Sequence, residues 1–346
     1  MKTRFWLGLA ISLLLILLMF RSLELDAVGR AMAQAEFAYL LPAVLLYFAG
    51  VFVRTARWAV LMRPLSTISL RRLFSVMVVG FTANDVLPLR AGEAVRAYLL
   101  WKKERLEPGA TVATIVVERI FDGLALTGFL IAGGLLISLE SWLSQLAWFA
   151  AAAFLLAVGV VFGLTIVPAP LLRLANMLLS PLPPRLRDLS LRLLTSFVEG
   201  LTVLRRWQDT AAVAVLSVVA WLLEASMYYV LMFSFPFKPQ YLAAILGTAV
   251  ANLGTMVPSS PGYVGTFDLP LSAVLVGTFQ IDRSLAASYT LLVHATLILP
   301  VVLLGVFFLW KDGLSLSKVT SQEGYRPRVV VEPTDRPEIA PRRTAP

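Results

Sequence analysis

Six apolar stretches, each of about the length that crosses a lipid bilayer, constrain this chain more than any other feature of its sequence. A bilayer core about 30 Å thick is crossed by roughly 20 apolar residues of α-helix, and a helix satisfies its own backbone hydrogen bonds there. The stretches cover residues 5–20, 37–61, 111–139, 142–167, 211–235 and 285–310. We therefore predict an all-α polytopic membrane protein with six spanning helices, the first of them an uncleaved signal-anchor.

The composition agrees with a membrane protein and excludes several classes of active site. Hydrophobic residues make up 58% of the chain and charged residues 15%, whereas soluble proteins have about 45–50% and about 25%. The chain contains no Cys and one His, His294. Disulfides, thiolate catalysis, Cys-ligated zinc, His-cluster metal sites and hydrolases with a histidine pair are therefore excluded. We predict no metal and no cofactor.

The positions of the basic residues predict the orientation of the chain in the membrane. There are 30 Lys and Arg residues against 21 Asp and Glu, and short cytoplasmic loops are enriched in Lys and Arg. The loops of one side contain Lys2, Arg4, Arg63, Arg71, Arg72, Lys102, Lys103, Arg105, Arg173, Arg185, Arg187, Arg192, Arg205, Arg206 and Lys311. The loops of the other side contain Arg21, Arg30, Lys238 and Arg283. We therefore predict that both termini are cytoplasmic and that the positive charge faces lipid headgroups rather than nucleic acid.

One shorter apolar stretch, residues 73–86, does not fit as a further crossing. Cationic pairs flank it, with Arg71 and Arg72 before it and Lys102 and Lys103 after its return, and a single crossing would place one pair outside. A hairpin that enters from the cytoplasm and returns keeps both pairs inside. Its turn is expected where helix-breaking Pro and permissive Gly occur together. The turn residues of interest are Asn84, Pro88, Arg90 and Gly92.

A second apolar stretch, residues 241–279, repeats this pattern on the other side. Lys238 and Arg283 flank it, so this hairpin is predicted to enter from outside. Its arms and turn contain Asn252, Pro258, Ser259, Pro261, Gly262 and Gly265. Irregular backbone at this depth is tolerated only where it is buried in protein or lines a wet cavity, so both turns are candidate binding sites. A kinked pair of ordinary spans is the alternative.

The order of segments is the same in the two halves of the chain, but the halves start on opposite sides. This order predicts an inverted-topology repeat within one transmembrane domain, with repeat 1 at about 1–140 and repeat 2 at about 141–310. Such repeats with broken helices at mid-membrane are typical of alternating-access transporters. Residues 171–208 form a predicted cytoplasmic amphipathic segment, whose helix over 185–206 either lies on headgroups or caps the bundle. We predict a disordered cytoplasmic tail over 311–346.

Ionisable side chains in the predicted spans are candidate site residues, because each costs about 2.5–3.5 kcal/mol at a helix centre on insertion scales. Glu118 and Asp122 share a helix face, and Arg119 lies three residues from Asp122. The second span and the first hairpin add Arg54, Arg57, Arg90, Glu93 and Arg96 at the same level. Arginine binds phosphate oxygens in a bidentate fork. The group is therefore either a pocket for an anionic headgroup or an ion-pair network that locks the hairpin.

The second half of the chain carries fewer ionisable residues in its apolar segments. Glu224 lies in the span 211–235 without an obvious partner, and Asp268 lies on the returning arm of the second hairpin. His294 lies in the last span, where a single His is either a hydrogen-bonded packing residue or a proton carrier. Glu224 and His294 are our candidates for proton coupling.

Three motifs of the chain occur together in a known family. They are Asn84-x-x-Leu87-Pro88-Leu89-Arg90-x-Gly92-Glu93-x-x-Arg96, Glu118-Arg119-x-x-Asp122 and Pro258-x-x-Pro261-Gly262-x-x-Gly265-x-x-Asp268. With them the chain resembles the flippase-like integral membrane family that includes the transmembrane region of lysylphosphatidylglycerol synthases. Tyr263 and Asp268 stand where the family pattern has Gly and Glu, which affects the contacts of the second hairpin.

The resemblance implies a bacterial inner-membrane protein that moves or handles lipids between leaflets. Members are associated with phospholipids, hopanoids and polyprenyl-linked glycans, so the implied partners are membrane lipids, with an anionic headgroup. The resemblance also implies a stand-alone member, because residues 311–346 are too few for the aminoacyltransferase domain that the phospholipid synthases carry.

Three functions are compatible with these residues. The first is a flippase-like lipid translocase, in which Arg57, Arg90 and Arg96 hold an anionic headgroup while the tails stay in the bilayer. The second is an intramembrane lipid-modifying enzyme that uses carboxylates of the same group as acid and base. The third is a non-transporting partner of a lipid or hopanoid biosynthesis complex. The inverted repeat and the two broken segments favour the translocase.

Overall fold

The computed structural model describes residues 25–87, 91–181, 183–256 and 261–312, and its regular structure there is entirely helical. The helices are α1 (Leu25–Ala33), α2 (Leu40–Met62), α3 (Leu70–Val86), α4 (Gly92–Glu104), α5 (Pro108–Leu136), α6 (Ser141–Ile166), α7 (Pro168–Leu179), α8 (Pro184–Gly200), α9 (Trp207–Met232), α10 (Tyr241–Gly254), α11 (Asp268–Gly277) and α12 (Arg283–Lys311). Short 3-10 turns lie at Phe37–Tyr39, Leu201–Arg205 and Pro261–Tyr263. The prediction of an all-α chain is confirmed for these residues.

Four helices of the described part are long and apolar enough to cross a membrane. They are Phe37–Met62, Ser141–Ile166, Trp207–Met232 and Arg283–Lys311, which coincide with four of the predicted spans. The third predicted span corresponds to α5, a helix of 29 residues. Glu118, Arg119 and Asp122 lie within α5, which is not one of the four. The first predicted span, residues 5–20, lies outside the described residues.

The ends of the long helices follow from the residues next to them. α5 begins with Pro108, whose fixed φ and missing N–H suit a first helical turn. Before α12, the Asp282 carboxylate accepts hydrogen bonds from the N–H groups of Ser284 at 2.9 Å and Leu285 at 3.1 Å. α4 ends where Arg105 takes a left-handed conformation with φ of 58°. Helix boundaries are therefore set locally.

α2 and α9 pack side by side in opposite directions. At one end, the Glu36 N–H donates a hydrogen bond to the carbonyl of Ser234 at 3.1 Å. At the other end, Arg63 Nη1 lies 3.2 Å from Asp209 Oδ1. Because the pair is antiparallel, residues near the middle of α2 face residues near the middle of α9.

α3 and α4 fold back on each other and form the first hairpin. Near its base, Arg72 Nη1 lies 3.1 Å from Glu104 Oε1. Near its turn, the Gly92 N–H donates to Asn84 Oδ1 at 2.8 Å. Glycine permits this close approach, because a Cβ on Gly92 would overlap the Gly80 carbonyl and the Asn84 side chain.

α10 and α11 form the second hairpin. Gly254 lies against the carbonyl of Thr266 near the turn. Farther along the arms, a Cβ on Gly247 would lie 2.7 Å from Leu271 Cδ1. Small residues thus let both arms pack closely. Four residues of the predicted turns lie outside the described residues, namely Pro88, Arg90, Pro258 and Ser259.

The bases of the two hairpins lie at opposite ends of the bundle. The second hairpin begins at Tyr241, shortly after the end of α9. α12 starts at that same end, where the Tyr289 hydroxyl donates to the Tyr228 carbonyl at 2.8 Å. α12 finishes at the opposite end, where Lys103 at the base of the first hairpin pairs with Asp312.

The tips of the two hairpins are neighbours in the interior of the bundle. Asp85 is the penultimate residue of α3, and Gly262 lies in the 3-10 turn of the second hairpin. A Cβ on Gly262 would lie 3.6 Å from the Asp85 carbonyl oxygen and 3.4 Å from Ile298 Cδ1 of α12. Both tips therefore contribute to one site.

The predicted amphipathic segment contains α7 and α8, and the helix predicted over 185–206 corresponds to α8 followed by the 3-10 turn Leu201–Arg205. α8 ends at Gly200, where a Cβ would lie 2.5 Å from the Ala110 carbonyl oxygen of α5. The chain then continues as a 3-10 turn. The start of α5 packs on α8 in a similar way, because Gly109 lies against Ser196. α8 therefore packs against the N-terminal end of α5.

Candidate functional site

A cavity of about 130 Å³ lies between the tips of the two hairpins. Its wall also includes side chains of α2, α5, α9 and α12. The charged and amide residues that line it are Arg54, Asn84, Asp85, Arg119, Glu224, Asn252 and His294. Tyr47, Trp221, Tyr263 and Phe267 contribute aromatic surface. A polar cavity inside a bundle of apolar helices is a strong candidate for a binding site.

Beside this cavity, buried arginines and carboxylates form a network that we call the arginine cluster. Its members are Arg57, Arg96, Glu118, Arg119 and Asp122. Arg96 of α4 donates two hydrogen bonds to Glu118 of α5, at 3.0 and 2.8 Å. The Arg96 guanidinium also lies 3.9 Å from the centre of the Trp58 ring. This bidentate pair ties the first hairpin to α5.

Arg57 joins α2, α5 and α9 within the cluster. Its Nη1 donates to Asp122 Oδ1 at 2.5 Å and to Ser217 Oγ at 2.7 Å. Asp122 Oδ1 also accepts a hydrogen bond from Trp221 Nε1 at 2.9 Å. The Arg57 side chain is fully buried, so its charge depends on these partners for the solvation that water would otherwise give.

Arg119 is the member of the cluster that lines the cavity. Its side chain is 28% exposed, whereas those of Arg57 and Arg96 are 0% and 2% exposed. Arg119 Nη2 lies 2.6 Å from Glu118 Oε1, and Nη1 lies 3.8 Å from Asp122 Oδ2. The predicted pairing with Asp122 is thus present as the longer contact. Glu93 also acts on Arg119 electrostatically.

Glu224 has two partners, which the sequence did not reveal. Arg54 Nη2 of α2 donates to Glu224 Oε2 at 2.7 Å. Asn252 Nδ2 of the second hairpin donates to Glu224 Oε1 at 2.9 Å. The Arg54 guanidinium also lies 4.4 Å from the centre of the Trp221 ring. The structure thus supplies the partners that were not obvious from the sequence, and Glu224 links α2 to the second hairpin.

His294 holds the second tip to α12. Its Nδ1 lies 2.7 Å from Asp268 Oδ1, and its Nε2 lies 2.7 Å from the Gly262 carbonyl oxygen. Asp268 Oδ2 accepts a hydrogen bond from the Gly265 N–H at 2.8 Å. The imidazole packs on Phe267 with 4.6 Å between ring centroids. Both ring nitrogens are thus engaged in the turn of the second hairpin.

The turn of the second hairpin has an unusual backbone. Gly262, Tyr263 and Gly265 have positive φ angles of 70°, 56° and 86°. Left-handed backbone is easy for Gly but costs about 1–2 kcal/mol for a residue with a Cβ. Tyr263 therefore occupies a backbone position that favours Gly, and its side chain lines the cavity.

The structure divides the predicted site residues into groups. Those that line the cavity are Asn84, Arg119, Glu224, Asn252 and His294. Those buried beside it are Arg57, Arg96, Glu118, Asp122 and Asp268. Those in the turns or in adjacent helix starts are Gly92, Glu93, Pro261, Gly262 and Gly265. Four predicted site residues lie outside the described residues, namely Pro88, Arg90, Pro258 and Ser259.

The structure does not place Arg57 and Arg96 in the cavity wall, although both were predicted to hold a headgroup. Both arginines bind carboxylates instead.

Asp85, Ser217 and Trp221 are among the residues of the site that were not identified from the sequence. Asp85 lines the cavity directly after the predicted turn residue Asn84. Ser217 and Trp221 contact the arginine cluster from α9. Ser217, Trp221 and Glu224 are spaced by four and three residues, which places them on one helix face. That spacing would have identified the polar face of α9.

No group of three or more His, Asp or Glu side chains in the described part of the chain is arranged to hold a metal ion. The carboxylates are instead engaged by guanidinium, amide, indole and imidazole groups. What the arrangement offers to a ligand is a small polar cavity with fixed charges of both signs.

Comparison with known proteins identifies the family. A profile of the family described as "Lysylphosphatidylglycerol synthase TM region" matches residues 5–305. The chain belongs to this family. The resemblance that the three motifs indicate is thereby confirmed, and together with the apolar helices it makes the chain an integral multi-pass membrane protein.

Curated relatives include membrane proteins and one glycosyltransferase. A UPF0104 membrane protein of Methanothermobacter thermautotrophicus is 24% identical over 314 residues, 86% of this chain and 91% of that protein. A UPF0104 membrane protein of Methanocaldococcus jannaschii is 24% identical over 247 residues, 70% of this chain and 99% of that protein. Glycosyltransferase AglD of Haloferax volcanii is 29% identical over 135 residues, 39% of this chain but 21% of that protein. No solved structure matches the chain significantly.

Proposed function

We propose that this protein is a flippase-like translocase, which moves an anionic or polyisoprenoid-linked lipid between the leaflets of a bacterial inner membrane. One observation carries the proposal: a charged cavity lies between the tips of two helical hairpins whose bases lie at opposite ends of a bundle with membrane-length helices. Broken helices that meet around a central site are typical of alternating-access transporters. The family of the chain, a lipid synthase membrane region, agrees with a lipid as cargo.

The membrane topology is part of the proposal. We propose six spanning helices and two re-entrant hairpins in an inverted-topology repeat of one transmembrane domain. It is supported by α2 and α9, the second spans of the two proposed repeats, which pack in opposite directions. Arg63, Arg72 and Lys103 all lie at one end of the bundle. By the positive-inside rule this end, with both chain termini, faces the cytoplasm.

The charge pattern suggests how an anionic headgroup is held. Of the described cluster arginines, Arg119 has the most exposed guanidinium and lines the cavity. Arg54 lines it from α2 while paired with Glu224. A phosphate would accept hydrogen bonds from these two groups in competition with the carboxylates. Arg57 and Arg96 then act indirectly, because they hold Glu118 and Asp122 in place. Arg90, outside the described residues, stays a predicted ligand.

The cavity is smaller than a typical ligand site. Ligand sites usually have volumes of about 300–1,000 Å³, and this cavity has about 130 Å³. We therefore propose that at least one hairpin tip moves when a lipid headgroup binds. In the mechanism we propose, each hairpin opens toward its own side of the membrane while the lipid tails remain in the bilayer.

Transfer of labelled lipid in liposomes tests the proposal. The purified chain is reconstituted with a trace of fluorescent phosphatidylglycerol or of fluorescent polyprenyl phosphate, and a membrane-impermeant reductant bleaches the outer leaflet. Bleaching beyond the outer-leaflet fraction of empty liposomes is the expected result. We expect Arg119→Gln to slow this bleaching at least several-fold, and Arg206→Gln, at an exposed position of the basic end, to leave it unchanged.

The same liposomes separate the translocase from its alternatives. No bleaching beyond empty liposomes for either lipid class would contradict the proposal and favour a non-transporting partner. A new covalent lipid product in the mass spectrum would favour a lipid-modifying enzyme instead. Unchanged lipid masses with increased bleaching support transport.

A further inference from the structure

The hydrogen bonds of His294 require a definite number of protons. A carbonyl oxygen only accepts hydrogen bonds, so the Nε2 atom that lies 2.7 Å from the Gly262 carbonyl carries a hydrogen. Nδ1 and Asp268 Oδ1 are also 2.7 Å apart, and this contact needs one hydrogen between the two atoms. The pair of His294 and Asp268 therefore holds two protons in this geometry.

Two arrangements of these protons fit the contacts. Either an imidazolium faces a carboxylate, or a neutral imidazole faces a carboxylic acid, and in both cases the pair has no net charge. With one proton fewer, either the Asp268 contact or the Gly262 contact joins two acceptors. Both residues are buried, with 9% of the surface of His294 and 2% of that of Asp268 exposed. Water therefore has little access to supply the hydrogen bond that the lost proton made.

The surroundings of the pair contribute further charged groups but leave these two contacts unchanged. The charged and titratable side chains that line the adjoining cavity are Tyr47 and Arg54 of α2, Asp85 of α3, Arg119 of α5, Glu224 of α9 and Tyr263 of the tip. Tyr228 of α9 acts electrostatically on Asp268. Arg54 is paired with Glu224 and Arg119 with Glu118. Asp85 acts on His294 at longer range, from the first hairpin.

We propose that one proton bound by the His294–Asp268 pair latches the second hairpin tip onto α12, and that release of this proton frees the tip. The Nε2 hydrogen bond ends on Gly262, which belongs to the tip itself. The Asp268 carboxylate also holds the Gly265 N–H. Loss of the proton therefore loosens the turn that closes one side of the cavity. The use of this proton to drive cargo rests on the proposed translocase, whereas the latch does not.

Asp268→Asn separates the hydrogen bonds from the titratable proton. The amide NH₂ can donate to Nδ1 of a neutral imidazole, while the amide oxygen accepts from the Gly265 N–H. Both contacts then persist without a proton that can be lost, so this variant imitates the protonated latch at every pH. Asp268→Leu has a similar size but makes neither hydrogen bond, so it imitates the released latch.

Thiol labelling measures the opening of the cavity. The chain contains no Cys, so Thr255→Cys places a single thiol in the cavity wall. The full chain in liposomes is reacted with a membrane-impermeant maleimide across the pH range in which imidazole titrates, about 5–8. Each rate is divided by that of Ser141→Cys, an exposed position, which cancels the intrinsic pH dependence of the thiol.

The three versions of residue 268 are expected to differ in their pH profiles. With Asp268, the normalised rate should rise several-fold as pH increases. With Asp268→Asn it should stay low and flat, and with Asp268→Leu high and flat. A flat rate with Asp268, or a pH profile of Asp268→Asn that equals that of the parent, would overturn the latch. Because Asn preserves the shape of Asp, this comparison remains decisive even if the Leu variant does not fold.

The single histidine permits a direct count of its protons. His294 is the one His of the chain, so ¹⁵N-histidine labelling of a protein with a histidine-free tag gives one imidazole spectrum. We expect a protonated Nε2 with a second proton on, or shared by, Nδ1 in the closed state. A neutral ring protonated on Nδ1 alone would contradict the latch. Neither measurement needs a lipid cargo, so failure of the latch is distinguishable from failure of lipid transfer.

Discussion

The two hairpin tips are held by different chemistry. The first hairpin is tied to α5 by Arg96 and Glu118, and a guanidinium keeps its charge at every physiological pH. The second hairpin is tied to α12 by His294 and Asp268, and imidazole exchanges its proton between about pH 5 and 8. The difference indicates that the arginine cluster holds the first hairpin independently of physiological pH, whereas the second hairpin is the one that a change in protonation can release.

The largest effect is expected from Glu118→Gln, which breaks the fixed side of this comparison. It leaves Arg96 and Arg119 without the carboxylate they share and removes a counter-charge 3.6 Å from Arg57. Removing one partner of a buried ion pair costs about 3–5 kcal/mol. We expect a large loss of folded protein, measured by thermal unfolding in detergent. The control is Glu199→Gln at an exposed position of α8, and equal stability of the two variants would contradict the locking role.

Gly92→Ala tests whether the closeness of the arms also fixes the first hairpin. The new Cβ would overlap the Gly80 carbonyl and the Asn84 side chain, and overpacking of this kind costs about 1–3 kcal/mol. We expect a lower Tm in the same detergent assay. Gly128→Ala on α5 is the matched control, because no atom lies within 4 Å of its added Cβ. If both alanines have the same Tm, the turn is looser than described.

A double-mutant cycle on Arg54 and Glu224 tests the charge link between α2 and α9. Arg54→Gln, Glu224→Gln and the double variant should give a coupling energy of about 0.5–3 kcal/mol, since the two groups are in direct contact and buried. The exposed pair Arg206–Asp209, whose Arg side chain is 70% exposed, should give about 0.2–1 kcal/mol. Coupling of the buried pair no larger than that of the exposed pair would count against the link.

Tyr263→Gly should have the smallest effect and would sharpen the description of the second tip. It relieves a left-handed backbone cost of about 1–2 kcal/mol but adds the conformational freedom of Gly, about 0.5–1 kcal/mol, to the unfolded chain. We expect a slightly higher Tm. Gln280→Gly, at a residue with φ of 55° outside the tip, is the control. A clear loss of stability for Tyr263→Gly alone would show that the Tyr side chain supports the turn.

The sequence predicted those parts of the fold that are encoded locally. Apolar length predicted the four long helices of the described part. Pro and Gly predicted breaks after Asn84 and Asn252, and helical arms lie on both sides of each. The i, i+3 and i, i+4 spacing correctly placed Glu118, Arg119 and Asp122 in one network.

Contacts between distant segments were not predictable from one sequence. Glu224 finds its partner Arg54 170 residues away, and Arg96 is engaged by Glu118 of another helix. The helix predicted over 185–206 is α-helical as far as Gly200 and then continues as a 3-10 turn. The close approach of α5 at Gly200 is a contact that no local pattern encodes. Local spacing finds the polar face of a helix, but only the packing decides which face of another helix it meets.

The proposal that the two hairpins enter the membrane from opposite faces is tested most directly by the side from which each hairpin base can be labelled. Lys102→Cys and Gln280→Cys lie at exposed positions near the bases of the first and second hairpins, in a chain without native Cys. An impermeant maleimide is applied to right-side-out and to inverted membrane vesicles. We predict that Lys102→Cys reacts only from the cytoplasmic side and Gln280→Cys only from the opposite side. Reaction of both cysteines from the same side would contradict two hairpins that enter from opposite faces.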